Sequence, residues 1–186
     1  MRVLAISGSL RRDSANTRLL RAAAEEAPDG VEIVVCDGLK EIPPYDQDED
    51  VVPGPPAVEA FKAAVREGDA VLIATPEYNF SVPGALKNAV DWASRPLATN
   101  VFRNKPVAVI GASSGMFGAV WSQAELRKIL GQAMGAKVAD VVVAVGRAFD
   151  KFDEDGSLVD DDVREQLRNT LGVLAGIRVA AQPVAA

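Results

Sequence analysis

The sequence predicts an α/β fold in which a doubly wound, five-stranded parallel sheet lies between two layers of helices, a three-layer α/β/α sandwich. Short apolar runs alternate along the chain with longer amphipathic segments, which is the pattern of repeated β–α units. The apolar runs are continuous in Val, Ile, Leu and Ala, as is typical of strands buried on both faces. The 186 residues, 48% of them hydrophobic, suffice for one domain with a substantial core.

Five β–α units follow one another, and we expect a single domain over residues 1–182 with a frayed tail at 183–186. The predicted strands are Val3–Ile6, Val31–Cys36, Ala70–Ala74, Val107–Ala112 and Val138–Val145. The predicted helices are Asn16–Ala27, Val58–Glu67, Gly84–Ser94, Ala119–Met134 and Asp161–Ala180. Pro83 suits the first turn of the third helix, and a Pro- and acid-rich loop at 42–56 precedes the second helix.

Right-handed crossovers between parallel strands place helices on both faces of the sheet. Ligands of such sheets bind beyond the carboxyl ends of the strands, where the strand order switches. We therefore expect the functional site in three segments, each taken with the start of its following helix. They are loop 1 (residues 7–17), loop 3 (residues 75–88) and loop 4 (residues 111–119).

Composition excludes several classes of function. The net charge of −6 and a pI near 4.8 disfavour nucleic acid as a partner. One cysteine and no histidine exclude an internal disulfide, a Ser-His-Asp or Cys-His triad, a His-based metal site and an iron–sulfur cluster. Any demanding redox chemistry must therefore come from a cofactor. The chain shows neither a signal-peptide pattern nor a membrane span, so we expect a cytoplasmic protein with no membrane partner.

Loop 1 has the features of an anion site. It joins a buried strand to a helix, whose free N–H groups and dipole attract negative charge. Neutral donors come from Ser9, Ser14, Asn16 and Thr17, and Arg11 or Arg12 can add a charge-assisted bond. The loop lacks the Walker A ending and the Gly-x-Gly-x-x-Gly fingerprint. Its hydroxyl groups suit a terminal phosphate monoester, whose three oxygens need several donors. The alternative is an ordinary turn capped by Ser14 or Asn16, and capping does not exclude phosphate binding.

Loop 3 is rich in aromatic residues and proline. Pro76 and Pro83 restrict its backbone, while Tyr78 and Phe80 offer flat apolar surface to a ring or to another subunit. The alternative for each aromatic residue is plain packing, but their density at the ligand edge of the sheet favours function.

Loop 4 follows the fourth predicted strand. Its Ser113 and Ser114 are hydrogen-bonding candidates, and its glycines permit close backbone approach to a flat ligand. The alternative is that the loop is only a flexible turn.

Together the three loops resemble the NADPH-dependent FMN reductase family, which includes bacterial quinone and chromate reductases. The resemblance covers nearly the whole chain. The matching segments are Gly8-Ser9-Leu10-Arg11 with Ser14 and Asn16, Pro76-Glu77-Tyr78-Asn79, Pro83-Gly84-Ala85-Leu86-Lys87-Asn88-Ala89-Val90-Asp91-Trp92, Ser114-Gly115 with Gly118 and Gln123, Leu126-Arg127, and Tyr45-Asp46-Gln47-Asp48. One departure is Trp121, where relatives often carry an arginine that can pair with a carboxylate or phosphate.

The resemblance implies a flavodoxin-like fold that binds FMN, and a homodimer or homotetramer with the flavin near a subunit contact. It assigns the FMN phosphate to Ser9, Arg11, Ser14, Asn16 and Thr17. It assigns the ribityl chain and isoalloxazine ring to Pro76, Glu77, Tyr78 and Asn79, and the remaining ring edge to Ser113, Ser114 and Gly115. No side chain is expected to act as an acid or base, because the cofactor carries the chemistry.

The function expected is that of an enzyme, an FMN-dependent NAD(P)H oxidoreductase that passes a hydride through FMN to a quinone, a flavin or a similar small-molecule acceptor. Two alternatives stay open: a flavodoxin-type electron carrier, and a phosphate-ligand-binding module without nicotinamide activity. A response-regulator receiver is excluded, because Ser7-Gly8-Ser9 and Thr75-Pro76 stand where its acidic pocket and aspartate would be. The sequence does not separate NADPH from NADH.

Overall fold

The computed structural model describes residues 1–181 as a parallel sheet with helices on both faces. The strands are β1 Arg2–Ser7, β2 Glu32–Cys36, β3 Ala70–Ala74, β4 Pro106–Ala112, β5 Lys137–Val138 and β6 Ala144–Val145. The helices are α1 Ala15–Glu25, α2 Pro56–Glu67, α3 Gly84–Ala93, α4 Val120–Lys128 and α5 Asp161–Ala181. The tail predicted to fray, 183–186, lies outside the described residues. Within 1–181, no helix combines the length and apolarity needed to cross a membrane.

The strand order is β2-β1-β3-β4-β5, and every pairing is parallel. The chain therefore starts near the middle of the sheet, winds to one edge and then crosses to the other. The switch of direction falls between β1 and β3, and β4 lies next to β3. This order confirms the predicted doubly wound sheet, and it brings the carboxyl ends of β1, β3 and β4 side by side.

Two apolar clusters, one on each face of the sheet, give the three-layer sandwich. Val3 and Ala5 of β1 pack in the cluster with helices α1 and α5, while Leu4 and Ile6 pack in the cluster with α2, α3 and α4. Successive residues of a strand point to opposite faces, so a strand covered on both sides must be apolar throughout. The continuous apolar runs of the sequence have this origin.

The fifth predicted strand, Val138–Val145, is wrong as a continuous element. Two short strands, β5 and β6, pair with β4 on either side of residues 139–143. The Arg127 guanidinium reaches across to the Val141 carbonyl and to the Asp140 carboxylate. Val107 and Gly111 of β4 pair with Val138 and Ala144, so the segment has two more residues than the part of β4 opposite it and bulges, and Arg127 satisfies the Val141 carbonyl in the bulge. The fourth helix also departs from the prediction, since its α-helical part ends at Lys128 and a π-helical turn follows at Ile129–Ala133.

An ion-pair cluster joins the end of α1 to α5. Glu26 accepts from Arg164 at 2.8 Å and also pairs with Arg168, and these bonds hold the pKa of Glu26 below its ordinary value. A carboxyl whose pKa is lowered on folding stabilises the protein fully above its unfolded pKa, and the stabilisation is lost as the pH falls through the folded pKa.

Lowering the pH should therefore reduce the unfolding free energy of the parent protein more than that of the variant Glu26→Gln. Urea unfolding at pH 7, 5, 4 and 3 should show the difference in unfolding free energy between the two proteins shrinking as the pH falls below the ordinary carboxyl range. Glu165→Gln, which changes an exposed carboxylate of α5 that makes no ion pair with residues in 1–181, is the matched control and should track the parent at every pH. A constant difference between parent and Glu26→Gln across this range would contradict the assignment.

Candidate active site

Loops 1, 3 and 4 converge on one cleft at the carboxyl ends of β1, β3 and β4. Most of the residues predicted from the sequence line it: Ser9, Arg11, Ser14, Asn16, Pro76, Glu77, Tyr78, Ser113 and Ser114. The other predicted residues, Thr17, Asn79 and Gly115, lie outside the lining. Segments far apart in sequence thus form one concave surface that combines polar groups with the aromatic rings of Tyr78 and Phe149.

Loop 1 is shaped by hydroxyl groups at the start of α1. Ser14 is the N-cap of α1, where its Oγ accepts from the Asn16 N–H at 3.2 Å. Ser9 Oγ accepts from the Arg11 N–H at 3.3 Å, and Ser7 and Thr17 share a hydroxyl hydrogen bond of 2.9 Å beneath the loop. The capped turn offered as an alternative is therefore present, and it leaves other N–H groups in the first turn of α1, which borders the cleft, without a partner inside the helix.

Asn16 ties loop 1 to the end of β4. Its Nδ2 donates to the Ala112 carbonyl at 2.9 Å, and its Oδ1 accepts from the Ala112 N–H at 2.9 Å. The side chain is only 3% exposed, so these two bonds satisfy buried backbone groups that would otherwise lack partners. Asn16 therefore holds two walls of the cleft, loop 1 and the end of β4, together. This role adds to the phosphate contact that the resemblance implied.

Gly8 lets loop 1 approach loop 3. A Cβ atom at this position would lie 2.7 Å from the Leu86 side chain and 3.2 Å from the Pro76 ring. Real Cβ atoms do not approach other atoms as closely as 2.7 Å, so a larger residue would require the Leu86 side chain to shift and would press on the Pro76 ring. Gly8 therefore permits the close contact between loop 1 and loop 3.

Two carboxylates, those of Glu77 and Glu125, hydrogen-bond loop 3 to helix α4. Glu77 Oε2 accepts from the backbone N–H groups of Trp121 and Ser122 at 3.0 and 3.1 Å, which caps the start of α4. Glu125 Oε2 accepts from the Ser81 hydroxyl at 2.7 Å and from the Val82 N–H at 3.3 Å. Sequence reasoning missed Glu125, because nothing along the chain indicates that α4 passes beside loop 3.

Between Glu77 and the residues that Glu125 binds, the chain makes a tight turn. Tyr78 and Ser81 exchange backbone hydrogen bonds of 3.1 and 3.2 Å. The two residues between them, Asn79 and Phe80, both have positive φ angles, 52° and 62°. Asn79 thus serves the turn backbone, which explains why it lies outside the cleft lining although Tyr78, its neighbour, lies within it.

Loop 4 contacts the segment that follows β6. The Ser113 carbonyl accepts from the Ala148 N–H at 3.0 Å, and the Gly115 carbonyl accepts from the Arg147 N–H at 2.8 Å. Residues Ala148 and Phe149 of that segment also line the cleft, together with Asp13 and Ala15 of loop 1. Sequence reasoning missed Ala148 and Phe149, although the rule that ligands lie at the carboxyl ends of strands extends to the loop after the last strand.

The charges in the cleft favour an anion at the loop 1 end. Asp13 is paired with Arg18 at 2.6 Å, and the Glu77 carboxylate is occupied by helix α4. Arg11, by contrast, makes no ion pair with any residue in 1–181. The cleft therefore combines an unpaired guanidinium, two serine hydroxyls and a helix N-terminus, a donor set that fits a terminal phosphate.

Residues 1–150 match the protein family described as NADPH-dependent FMN reductase. The chain belongs to the NADPH-dependent FMN reductase family. FMN is therefore its cofactor, NAD(P)H its co-substrate and oxidoreduction its activity. The donor set of the cleft fits this cofactor, since FMN carries one terminal phosphate and one flat ring.

Individual relatives support the family assignment. An NAD(P)H-dependent FMN reductase of Pseudomonas aeruginosa is 42% identical over 94% of this chain and 93% of its own length. An NADPH:quinone oxidoreductase of Arabidopsis thaliana is 43% identical over 92% of this chain and 88% of its own. FerB, a flavoenzyme NAD(P)H:(acceptor) oxidoreductase of Paracoccus denitrificans, superposes with a TM-score of 0.85 at 32% identity, covering 96% and 97% of the two chains. This reductase therefore shares the fold of known flavoenzymes, as the flavodoxin-like prediction required.

Trp121, which the resemblance predicts to depart from the family pattern, lies at the first turn of α4 and is 42% exposed. Its ring meets Phe80 edge-on at 5.0 Å and Phe117 at 5.2 Å between ring centroids. A neutral aromatic cluster thus occupies the place where an arginine would put a charge.

Proposed function

We propose that this reductase holds FMN in the cleft between loops 1, 3 and 4, and passes reducing equivalents from NAD(P)H to a quinone or a similar small molecule. The observation that carries the proposal is the convergence of three strand-end loops on one cleft with an unpaired arginine at its polar end. When bound, FMN supplies the chemistry that accepts a hydride and hands its electrons on. The chain binds the cofactor, orients it and shapes access to it.

At the polar end, the phosphate would take hydrogen bonds from Ser9, Ser14 and the N-terminus of α1, with Arg11 supplying the charge-assisted contact. The first turn of α1 contains no acidic residue, and Asp13, which precedes the N-cap, is paired with Arg18, so the negative charge opposing a phosphate there is small. Asn16 and Thr17 would act indirectly, by holding loop 1 and the start of α1 in position around the phosphate.

At the other end, Pro76, Tyr78, Ser113 and Ser114 would surround the ring. We infer that no lining side chain needs to transfer a proton, because the chain contains no histidine and both lining carboxylates, Asp13 and Glu77, already have partners. This inference agrees with the cofactor, rather than an amino-acid side chain, carrying the reaction.

A quinone is the proposed acceptor. Its support comes from relatives named for quinone reduction, among them a 2-hydroxy-1,4-benzoquinone reductase of a Burkholderia species, 37% identical over 90% of this chain.

We also propose a cytoplasmic homodimer or homotetramer without a nucleic-acid or membrane partner. Light scattering measures the assembly, and a monomer at micromolar concentration would exclude it.

An absorption spectrum tests the cofactor and the activity in one sample. Purified protein with FMN should show a flavin band that bleaches when NADPH or NADH is added without oxygen, and adding a quinone should restore it. Continuous NAD(P)H oxidation with the quinone separates the reductase from a flavodoxin-type carrier. A protein that gains no colour with FMN would instead be a module for another phosphate ligand.

Arg11→Ala should weaken FMN binding about 10- to 100-fold, because a charge-assisted hydrogen bond contributes about 1.5–3 kcal/mol. The affinity for riboflavin, which has no phosphate, should stay unchanged. Fluorescence titration of both flavins measures the difference. Arg12→Ala is the matched control, since Arg12 neighbours Arg11 but lies outside the cleft lining. Equal losses for FMN and riboflavin, or equal losses for both variants, would remove Arg11 from the phosphate site.

A further inference from the structure

A second cavity opens from the cleft beside the start of α1. Four residues line both spaces: Asp13, Ala15, Ala148 and Phe149. The second cavity, the side compartment, is completed by Arg18, Phe152, Asp153 and Glu154, and its volume is about 270 Å³. This volume suits part of a ligand rather than a whole dinucleotide. Because the two spaces share walls, a ligand in the cleft can extend into the side compartment.

The side compartment offers one free aromatic face. Phe149 is 73% exposed, and its ring pairs with no other aromatic ring in residues 1–181. The chain beneath it is fixed, because the neighbouring Ala148 N–H donates to the Ser113 carbonyl at 3.0 Å. Phe152 is buried and supplies an apolar inner wall. A flat ring that enters the side compartment can therefore stack on Phe149.

Negative charge prevails around the side compartment. Arg18, the one cation of its lining within the described residues, is bonded to Asp13 at 2.6 Å and packs against Gly156, where a Cβ would lie 3.3 Å from the Arg18 Nε. Asp153 and Glu154 are exposed and make no ion pair with any residue in 1–181. The lining thus presents two unpaired carboxylates and no unpaired cation within the part of the chain that is described.

Unpaired carboxylates discriminate between the two nicotinamide dinucleotides. A carboxylate accepts hydrogen bonds from ribose hydroxyls and from the adenine amino group. In dinucleotide-binding sites an acidic residue at the ribose suits NAD, whereas an arginine accommodates the 2′-phosphate of NADP. A 2′-phosphate in the side compartment would meet the charges of Asp153 and Glu154 and would be repelled. The side compartment therefore differs in sign from the loop 1 end of the cleft, where Arg11 is unpaired.

We propose that the side compartment receives the adenosine half of the nicotinamide co-substrate, with the adenine on Phe149, and that Asp153 and Glu154 make this reductase prefer NADH to NADPH. The proposal rests on the proposed function, because the nicotinamide must reach FMN in the cleft. It assigns co-substrate choice to the segment between β6 and α5, and it sets this chain apart from the description of its family, which names NADPH.

Glu154→Arg tests the choice between the dinucleotides, with 1,4-benzoquinone as the acceptor. The parent should have a kcat/KM for NADH at least about fivefold above that for NADPH. Glu154→Arg should shift this ratio by about tenfold or more toward NADPH, because an attractive charge replaces a repulsive one. Asp155→Arg is the matched control, since Asp155 is the next exposed carboxylate along the chain but lies outside the lining. Its ratio should move by less than about threefold, because charges at a distance are screened.

Phe149→Ala tests the position of the adenosine half. It should raise the KM for NADH by about fivefold or more, because the adenine loses its stacking partner. The KM for reduced nicotinamide mononucleotide, which lacks the adenosine half, should stay within about twofold of the parent, and any effect on FMN would appear equally with both donors.

Binding without turnover gives a second measurement. In NMR titrations of the FMN-loaded parent, AMP should bind more tightly than 2′,5′-ADP, which carries the 2′-phosphate. Glu154→Arg should reverse this order, since the added guanidinium pairs with that phosphate.

Four results would overturn the proposal. They are a parent that prefers NADPH or uses both dinucleotides equally, an equal shift of the ratio by Glu154→Arg and Asp155→Arg, equal losses for NADH and reduced nicotinamide mononucleotide in Phe149→Ala, and an unchanged order of AMP and 2′,5′-ADP. If Phe149→Ala instead lost affinity for FAD while its NADH kinetics stayed unchanged, the side compartment would belong to a flavin dinucleotide. A parent that oxidises neither NADH nor NADPH would contradict the proposed function itself.

Discussion

Replacing Asn16 with aspartate is expected to weaken FMN binding at least 100-fold, equivalent to about 2.7 kcal/mol. The substitution keeps the shape of the side chain but puts an oxygen where Nδ2 now donates to the Ala112 carbonyl at 2.9 Å. Two acceptors would then face one another in a site that is 3% exposed, and a buried charge would lie beside the proposed phosphate position. Loop 1 and the end of β4 should separate, which opens the cleft.

The same variant should lose about 3 kcal/mol or more of stability at neutral pH, because a buried hydrogen bond becomes a repulsive contact. Burial raises the pKa of an unpaired carboxyl, and the protonated form can again donate to the Ala112 carbonyl. The stability deficit relative to the parent should therefore shrink as the pH falls. Urea unfolding at several pH values, together with FMN titration at neutral pH, measures both effects.

Asn88→Asp is the matched control. Asn88 also uses both ends of its amide, accepting from the Tyr45 N–H at 2.7 Å and donating to the Pro43 carbonyl at 2.8 Å, but it lies outside the cleft lining. This variant should lose stability while the folded protein keeps its FMN affinity. If Asn16→Asp binds FMN as the parent does, the anchor between loop 1 and β4 is irrelevant to the cofactor.

Gly118→Ala should destabilise the protein by about 3–5 kcal/mol. Two costs add at this position, a positive φ of 59° and a Cβ that would lie 2.2 Å from the Ala144 carbonyl carbon. Backbone atoms cannot yield as a flexible side chain does, so β6 would have to move. The hydrogen bond from the Ser113 N–H to the Val145 carbonyl, 3.0 Å, would then be lost, and with it the position of loop 4.

Thermal unfolding measures this loss. For a protein of this size 1 kcal/mol corresponds to about 2–4 °C, so a loss of 3 kcal/mol lowers the midpoint by about 6–12 °C. Gly172→Ala is the control, because that glycine is exposed on α5 with open space around it. Alanine there should raise the unfolding free energy by about 0.5–1 kcal/mol. A Gly118→Ala midpoint within 2 °C of the parent would mean that β6 adapts without cost.

The sequence was sufficient for the order of the elements and for the edge of the sheet that carries the site. Continuous apolar runs such as Ala70–Ala74 reflect a local requirement, since each residue of a strand covered on both faces must be apolar. Loop 1 could be proposed as an anion site because its candidate donors are neighbours along the chain. Local chemistry of this kind is visible without coordinates.

Other features depended on contacts between distant segments. The interruption between β5 and β6 lies where the chain has two extra residues opposite β4 and Arg127 satisfies the Val141 carbonyl, and the apolar run alone gave no sign of it. Glu77 and Glu125 are ordinary acidic residues in the sequence. Only the packing of α4 against loop 3 brings each carboxylate within hydrogen-bonding distance of the other segment.

The pattern of residues along the chain thus determined the α/β fold, the family and the loops at the site, because burial and turn chemistry act over a few consecutive residues. The tertiary structure alone decided that Asn16 joins loop 1 to β4 across 96 positions of sequence, and that Phe80, Phe117 and Trp121 meet beside the cleft. Hydrogen bonds and ring contacts have ranges of a few ångströms, and the chain must fold before such partners come within reach.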